Sequence, residues 1–112
     1  MNVFVKSRGL EVPQPLARHI ERRVRFVLGR FGRKIAHVTV RFADVNGTRG
    51  GVDKLCRVEA RVWGRLPLAA ESLSFDLRTA ANRAVDRIGR AVDRAVGRRF
   101  QTPKDLPFPP VS

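Results

Sequence analysis

The most regular stretch of the sequence lies near its C-terminal end, where residues 77–96 read LRTAANRAVDRIGRAVDRAV. Apolar residues recur in it every three or four positions, so they share one face of an α-helix for about five turns. This apolar face consists of Leu77, Ala81, Ala84, Val85, Ile88, Val92, Ala95 and Val96. Either Ser74 or Asp76 can cap the helix at its N-terminus. The stretch therefore predicts a long helix that packs with one face on the rest of the domain.

Three strands are predicted before this helix. Residues 35–44 alternate apolar and polar side chains, and so do residues 56–63. A third strand is predicted from residue 65 to about residue 72, after a turn at Gly64. The glycine-rich residues 44–53 predict a long hairpin loop between the first two strands. Three consecutive strands connected in this way form a meander.

The beginning of the chain adds one strand and one helix. Residues 2–6 predict a short strand, and a helix with a single apolar stripe is predicted from Pro13 and Pro15 to Phe31, ending at Gly32. The order β-α-β-β-β-α predicts an α+β fold in which both helices cover one face of a four-stranded sheet. Residues 101–112 contain four prolines. We therefore expect a domain at residues 1–100 and a flexible tail at residues 101–112.

The composition indicates an anionic partner. The 112 residues include 23 Lys and Arg against 10 Asp and Glu, which gives a formal net charge of +13. Such an excess in a small domain favours nucleic acid over an anionic membrane surface or an acidic protein. No apolar run approaches the roughly 18 residues of a membrane span, and the first residues do not form a signal peptide. We expect a cytoplasmic protein that is monomeric when free and has no membrane partner.

The sequence contains no group of residues with the arrangement of a catalytic site or a metal site. The single cysteine, Cys56, has no partner for a disulfide or a zinc site. His19 and His37 lie on different predicted elements, and neither has a nucleophile nearby. The hairpin loop lacks the Gly-Lys-Ser/Thr ending of a nucleotide-binding loop. We expect no enzymatic activity, no cofactor, no metal and no small-molecule substrate.

The charge is concentrated on the two predicted helices, and on the last of them the arginines form a row. At about 100° per residue, five arginines fall within a stripe about 80° wide, and Asp86 and Asp93 fall on another flank. This stripe, called here the arginine row, consists of Arg83, Arg87, Arg90, Arg94 and Arg98. A solvated face is the alternative, but only one acid in this helix has the spacing that would support an arginine four residues later. The row predicts binding to a polyanion.

The first helix and the hairpin add further candidates. Arg22, Arg23 and Arg30 surround Phe26, which projects away from the apolar stripe. Phe26 could stack on an unpaired base, or it could pack against the tail or a second subunit. Arg49 at the hairpin tip could contact a phosphate. Trp63 is expected to cap the open face of the sheet rather than to stack on a base.

Residues 2–99 resemble the ribosome hibernation promoting factor family, whose members are also called ribosome-associated inhibitors or ribosomal subunit interface proteins. The resemblance rests on four segments: Asn2-Val3 at the first strand, Leu10-Glu11-Val12 before the first helix, Asp44-Val45-Asn46-Gly47 to Gly51-Val52-Asp53-Lys54 in the hairpin, and Asp76-Leu77 with Thr79-Ala80 and Asn82 in the last helix. Arg78 departs from the family, where a tyrosine is common, and Phe26 and Gly29 occupy positions that are often lysine.

The resemblance implies a fold like that of double-stranded RNA-binding domains. It also implies docking on ribosomal RNA of the small ribosomal subunit, where messenger RNA and the anticodon ends of transfer RNA would lie, so that translation is inhibited and idle ribosomes are preserved under stress. By position, Arg23, Arg87, Arg90 and Arg94 fall where the family places basic residues that face this RNA. Only the proline-rich tail follows the domain here, so we expect occupancy of single ribosomes. The alternatives are a general RNA- or DNA-binding protein, such as a nucleoid protein or RNA chaperone, and a protein-binding regulatory adaptor.

Overall fold

A computed structural model describes residues 1–45 and 51–97 of the chain. The elements follow the predicted order: β1 (Asn2–Arg8), α1 (Gln14–Leu28), β2 (Ile35–Asp44), β3 (Lys54–Val62), β4 (Leu68–Ser74) and α2 (Leu77–Val92). A 3-10 segment at Gly29–Lys34 follows α1, and a π-helical turn at Asp93–Gly97 follows α2. The predicted α+β fold is confirmed.

The four strands form one mixed sheet in the order β1-β2-β3-β4. β1 and β2 are parallel, because α1 crosses over between them, whereas β2, β3 and β4 form the predicted antiparallel meander. Val5, Val40, Val58 and Ala70 lie side by side across the sheet in this register. The strands that precede the two helices, β1 and β4, run in the same direction. α1 and α2 therefore run parallel to each other.

Both helices bury their apolar faces on the same side of the sheet. Ile20, Val24 and Leu28 of α1 join the apolar face of α2 and the inward side chains of β2 and β3 in a single core. Val38, Val40 and Val58 are fully buried in it. The opposite face of the sheet carries polar and charged side chains, such as Arg41 and Arg61, so the sheet has one covered face and one open face.

Several boundaries differ from the predictions. α1 ends at Leu28, and the chain then tightens into the 3-10 segment, because two glycines in that segment weaken the helix. β4 begins at Leu68 instead of residue 65, since the left-handed Gly64 (φ 73°) and Pro67 precede it. Asp76 is the cap of α2, where its side chain accepts a hydrogen bond from the backbone N–H of Thr79 at 3.2 Å.

Some predictions concern residues outside the described ranges. The tail at residues 101–112, the hairpin tip with Arg49, and Arg98 at the end of the arginine row all lie there. The division into a domain at residues 1–100 and a tail stays a prediction. Within residues 1–45 and 51–97, no helix is both long enough and apolar enough to cross a membrane.

Candidate nucleic-acid interface

The buried face of α2 determines where the arginine row points. Ala81, Ala84, Val85, Ile88 and Val92 are in the core, which fixes the rotation of the helix about its axis. The row therefore faces solvent, and its four described members, Arg83, Arg87, Arg90 and Arg94, are all exposed. Within the described part of the chain, Arg83, Arg90 and Arg94 make no hydrogen bond or ion pair. Their guanidinium groups are available to a ligand.

Arg87 differs from the other members of the row. One of its guanidinium nitrogens, Nη1, donates a hydrogen bond to the backbone carbonyl of Glu71 in β4. This contact ties α2 to the edge of the sheet, and the remaining N–H groups of Arg87 can still point outward. Arg87 therefore has a structural role in addition to its place in the arginine row.

Asp86 in α2 and Asp93 directly after it are partly exposed, and they pair with arginines of α1 and of the 3-10 segment. Asp86 accepts a hydrogen bond from Arg23 at 2.9 Å, and Asp93 accepts one from Arg30 at 2.9 Å. The ring of His19 pairs with Asn82 at 3.1 Å in the same seam between the helices. All three pairs join residues 63 positions apart, as parallel helices in fixed register require. The two aspartates are thus removed from the arginine row by pairing across the helices.

Two of the predicted RNA-binding residues, Arg23 and Arg30, take part in these ion pairs. The Arg23 side chain is 37% exposed and the Arg30 side chain 67% exposed, so each presents a charge that its aspartate partly neutralises. The Arg23 Nε is buried without a partner. These pairs were not predicted from the sequence. All three pairs are separated by 63 residues in the sequence. This shared separation can be recognised as a pairing pattern only once it is known which sides of the helices face each other.

A groove of about 250 Å³ runs between the helices near their C-terminal ends. Gly89 lines it, and a Cβ at this position would lie 2.5 Å from Cγ1 of Val27, so the glycine permits the close approach of α1 and α2. Arg30 of the 3-10 segment and Arg90 of α2 line the groove, and so do Asp86 and Asp93. A cation from the arginine row and a cation from the 3-10 segment therefore lie along one depression that also contains two acids.

Phe26 lies on the outward side of α1. It is 85% exposed, and it is four residues from both Arg22 and Arg30, so all three lie on one side of the helix. Arg22 is exposed as well and has no partner among the described residues. The structure thus groups Phe26 with Arg22 and Arg30, as predicted, and nothing in the described ranges covers the ring.

Other cations are neutralised within the fold. Lys54 at the base of the hairpin donates hydrogen bonds to the buried Asp53 at 2.9 Å and to Asp44 at 3.1 Å. These bonds raise the pKa of Lys54, and the bond to Asp53 has the larger effect. On the open face of the sheet, Arg57 pairs with Glu71 at 3.0 Å and Glu59 at 3.1 Å, and both hydrogen bonds raise the pKa of Arg57. The middle of the open face is therefore an ion-pair network, whereas the arginine row contains no acid.

The described residues offer no catalytic constellation. Burial raises the pKa of the Cys56 thiol to about 12, so this cysteine is not a nucleophile at neutral pH. His37 makes an edge-on contact with Phe4, and His19 is in the seam between the helices. Residues 1–45 and 51–97 contain no group of three or more side chains that could hold a metal ion.

The sequence of the chain matches a known protein family. Residues 3–99 match the family model described as Sigma 54 modulation protein / S30EA ribosomal protein. No curated protein sequence matches the chain.

Two solved structures have a similar fold. The Protein Y N-terminal domain of Thermus thermophilus is 21% identical with a TM-score of 0.65, and the match covers 85% of this chain and 99% of that one. A ribosomal subunit interface protein from Coxiella burnetii is 13% identical with a TM-score of 0.71, and the match covers 87% of this chain and 99% of that one.

The family match extends over nearly the whole described chain, and it confirms the resemblance stated from the sequence. The family consists of ribosome-binding factors without enzymatic activity, in agreement with the expectation that the chain is not an enzyme. The chain belongs to the Sigma 54 modulation protein / S30EA ribosomal protein family, whose members are ribosome-associated hibernation and modulation factors.

Proposed function

We propose that this protein inhibits translation by binding ribosomal RNA of the small subunit through the arginine row and by occluding the sites of messenger RNA and transfer RNA. The observation that carries the proposal is the separation of charge on α2. Arg83, Arg90 and Arg94 are exposed without partners among the described residues. Asp86 and Asp93, in contrast, pair with Arg23 of α1 and Arg30 of the 3-10 segment. A cationic face that contains no acidic side chain can bind a polyanion such as RNA.

The spacing of the row suits an RNA backbone. Arg83 and Arg94 are eleven residues apart, which is a rise of about 16 Å along the helix, so the row can contact several phosphates. A guanidinium group binds two phosphate oxygens at once through its fork of N–H donors. Contacts of this kind recognise the shape of a folded RNA and need no reading of bases.

Inhibition by this mode requires no chemistry. A rigid α+β domain that occupies the decoding region excludes messenger RNA and the anticodon ends of transfer RNA by its volume alone. Phe26, Arg22 and Arg23 of α1 and Arg30 of the 3-10 segment would add contacts. Arg49 and Arg98 are further proposed RNA-binding residues. We propose that the protein acts as a single copy on each ribosome, in the cytoplasm.

Sedimentation of the full chain with ribosomes tests the proposal. We expect the protein to co-sediment with small subunits and with whole ribosomes at low salt and to dissociate as salt rises. For about five phosphate contacts, the slope of log affinity against log salt should be roughly −3.5 to −4.5. Recovery of the protein only in the supernatant at low salt would contradict the proposal.

A pair of matched charge reversals locates the contact surface. Arg83→Glu with Arg90→Glu removes two members of the row that have no described protein partner. This variant should lower the affinity about 100-fold or more, taking about 1.5 kcal/mol for each charged hydrogen bond. It should also flatten the salt slope by about 1.4 to 1.8. The control, Arg8→Glu with Arg61→Glu, makes the same change in net charge at β1 and β3, where both arginines are exposed.

Equal losses from the two double variants would show that net charge alone drives binding. That result would favour a general nucleic-acid-binding protein, as would efficient displacement from ribosomes by duplex DNA. Association that survives nuclease treatment of the ribosomes would favour a protein-binding adaptor. The proposal predicts a large loss from the variant in α2, a small loss from the control, and weak competition by duplex DNA.

A further inference from the structure

Trp63 lies directly after β3 and is 67% exposed. Its backbone is fixed, because its N–H donates a hydrogen bond to the carbonyl of Lys34 at 2.9 Å and Gly64 follows in a left-handed conformation (φ 73°). A ring that capped the sheet would be largely buried, so this exposure speaks against the capping role expected from the sequence. A large aromatic side chain is therefore held in solvent on a fixed backbone.

The indole borders a concave surface formed with the 3-10 segment. The depression measures about 820 Å³, and its cationic lining residues are Arg30, Arg33 and Lys34. No acidic residue lines it. Gly29 and Gly32 lie in the same wall, and a Cβ at either position would meet nothing within 4 Å. The space beside the indole is therefore open, wide and positively charged.

This combination fits an unpaired nucleotide. An exposed aromatic face stacks on a base, and neighbouring cations bind the phosphate. An acidic peptide would use the cations but would leave the indole without a planar partner. Arg33 is exposed and makes no ion pair within the described ranges, so its charge is available for a phosphate. The chemistry of the lining thus favours a single-stranded polynucleotide.

The depression is also continuous with the groove between the helices. Arg30 and Phe31 line both, and Arg90 of the arginine row lines the groove. The guanidinium of Arg30 lies 4.6 Å from the centre of the Phe31 ring, which places its charge at the junction. The groove also contains Asp86 and Asp93, which pair with Arg23 and Arg30. Arg90 and Arg30 are the cations along it that an RNA strand from the arginine row would meet on the way to Trp63.

We propose that Trp63 and the 3-10 segment form a second RNA site, which binds one unpaired nucleotide by stacking its base on the indole and holding its phosphate at Arg33. The site deepens the proposed function and rests on RNA being the ligand. With this site, the protein prefers RNA in which a single-stranded segment lies next to a duplex. The arginine row by itself has no such preference.

Tryptophan fluorescence tests the site in the full chain, because Trp63 is the one tryptophan of the sequence and there is no tyrosine. The probes are a single-stranded RNA of about eight nucleotides and a blunt RNA duplex. We expect the single strand to quench the emission strongly and the duplex to quench it weakly. Binding of the single strand, followed by anisotropy of a labelled probe, without any change in emission would overturn the proposal.

Variants separate the stacking from the charge. Trp63→Ala should weaken single-strand binding about 5- to 100-fold, the range measured for base stacking on aromatic side chains, whereas Trp63→Phe should retain most of it. Gly29→Glu, which introduces a carboxylate into open space, should also weaken it. Leu66→Ala is the matched control, since Leu66 is 85% exposed and does not line the depression. Wild-type affinity in Trp63→Ala would refute the site.

The outcomes for this site and for the proposed function are distinguishable. Co-sedimentation with ribosomes together with unchanged tryptophan emission would leave the arginine row as the interface and remove the site at Trp63. Quenching by single-stranded RNA without ribosome association would keep the site and remove the proposed function. Both effects together are the expected result.

Discussion

At the scale of single residues, a few side chains decide whether α2 presents a basic surface. Asp86 and Asp93 each lie one residue before one arginine of the row and three residues after another, and in solvent they would neutralise part of it. Their ion pairs with Arg23 and Arg30 keep them in the seam between the helices. The pairs are partly exposed, so each stabilises the fold by only about 0–1 kcal/mol. Their larger effect is to keep the two carboxylates away from the arginine row.

Replacing Gly89 tests the close packing of the helices. Alanine is normally better than glycine in a helix by about 1 kcal/mol. Here its Cβ would lie 2.5 Å from Cγ1 of Val27, and valine has a stiff side chain in a helix. We expect Gly89→Ala to lower the free energy of unfolding by about 1–3 kcal/mol in urea titrations. The same change made in a Val27→Ala background should cost less, whereas a stabilising effect of Gly89→Ala alone would contradict the packing.

The cap of α2 should make stability depend on pH. The hydrogen bond from Thr79 lowers the pKa of Asp76 below its ordinary value of 3.8, so the folded state favours the carboxylate. This stabilisation is present above the pKa of the unfolded chain and is lost as the pH falls through the lower folded pKa. Asp76→Asn keeps an acceptor at the cap but cannot ionise. Its Tm should be below that of the wild type at pH 7, and the two should converge once the pH has fallen below the pKa of Asp76 in the folded state.

At the scale of elements, the seam between α1 and α2 connects folding to binding. The helices run parallel with a constant offset of 63 residues between partners. Two of the pairs join α1 to α2, and the third joins Arg30 of the 3-10 segment to Asp93 of the π-helical turn. Arg23 and Arg30 are therefore held between an internal partner and the solvent. Their share in RNA binding should depend on the acids that they pair with.

Neutralising the seam acids should strengthen RNA binding. In the double variant Asp86→Asn with Asp93→Asn, Arg23 and Arg30 lose their anionic partners and can each contact a phosphate. We expect tighter association with ribosomes and a salt slope steeper by about 1.4 to 1.8. Sedimentation over a salt series measures both. A control with Glu59→Gln and Glu71→Gln removes the same charge from the open face, and an equal gain there would contradict a specific role of the seam.

Much of the architecture was predictable from periodicity. The alternation in β2 and β3 and the stripe in α2 led directly to the observed order of elements, and the 100° helical period located the arginine row. The end of α1 was not predictable, since glycines at positions 29 and 32 allow either a continued helix or a tighter turn. The surroundings of Trp63 were also not predictable, because they depend on the 3-10 segment meeting the end of β3.

At the scale of the whole molecule, the net charge of +13 is a cost to the folded state that a polyanion relieves. Three exposed members of the arginine row lie on one helix without partners in the described ranges, and self-repulsion of this kind is screened by salt. Salt should therefore act on folding and on RNA binding in opposite directions.

Thermal unfolding over a salt series checks this expectation. From about 0.01 M to 0.15 M salt, the Debye length falls from roughly 30 Å to 8 Å, so the Tm should rise as repulsion is screened. Ribosome association should weaken over the same range. The variant Arg83→Glu with Arg90→Glu should show a smaller rise in Tm. A Tm that falls with salt would show that ion pairs outweigh the repulsion.

Chemical probing of small-subunit RNA in the presence of the full chain tests the central proposal most directly. The protein should protect nucleotides of the decoding region, where messenger RNA and the anticodon ends of transfer RNA bind. Arg83→Glu with Arg90→Glu should abolish this protection, and Arg8→Glu with Arg61→Glu should leave it. Protection confined to another region of the ribosome, or protection unchanged by the reversal in α2, would contradict occlusion through the arginine row.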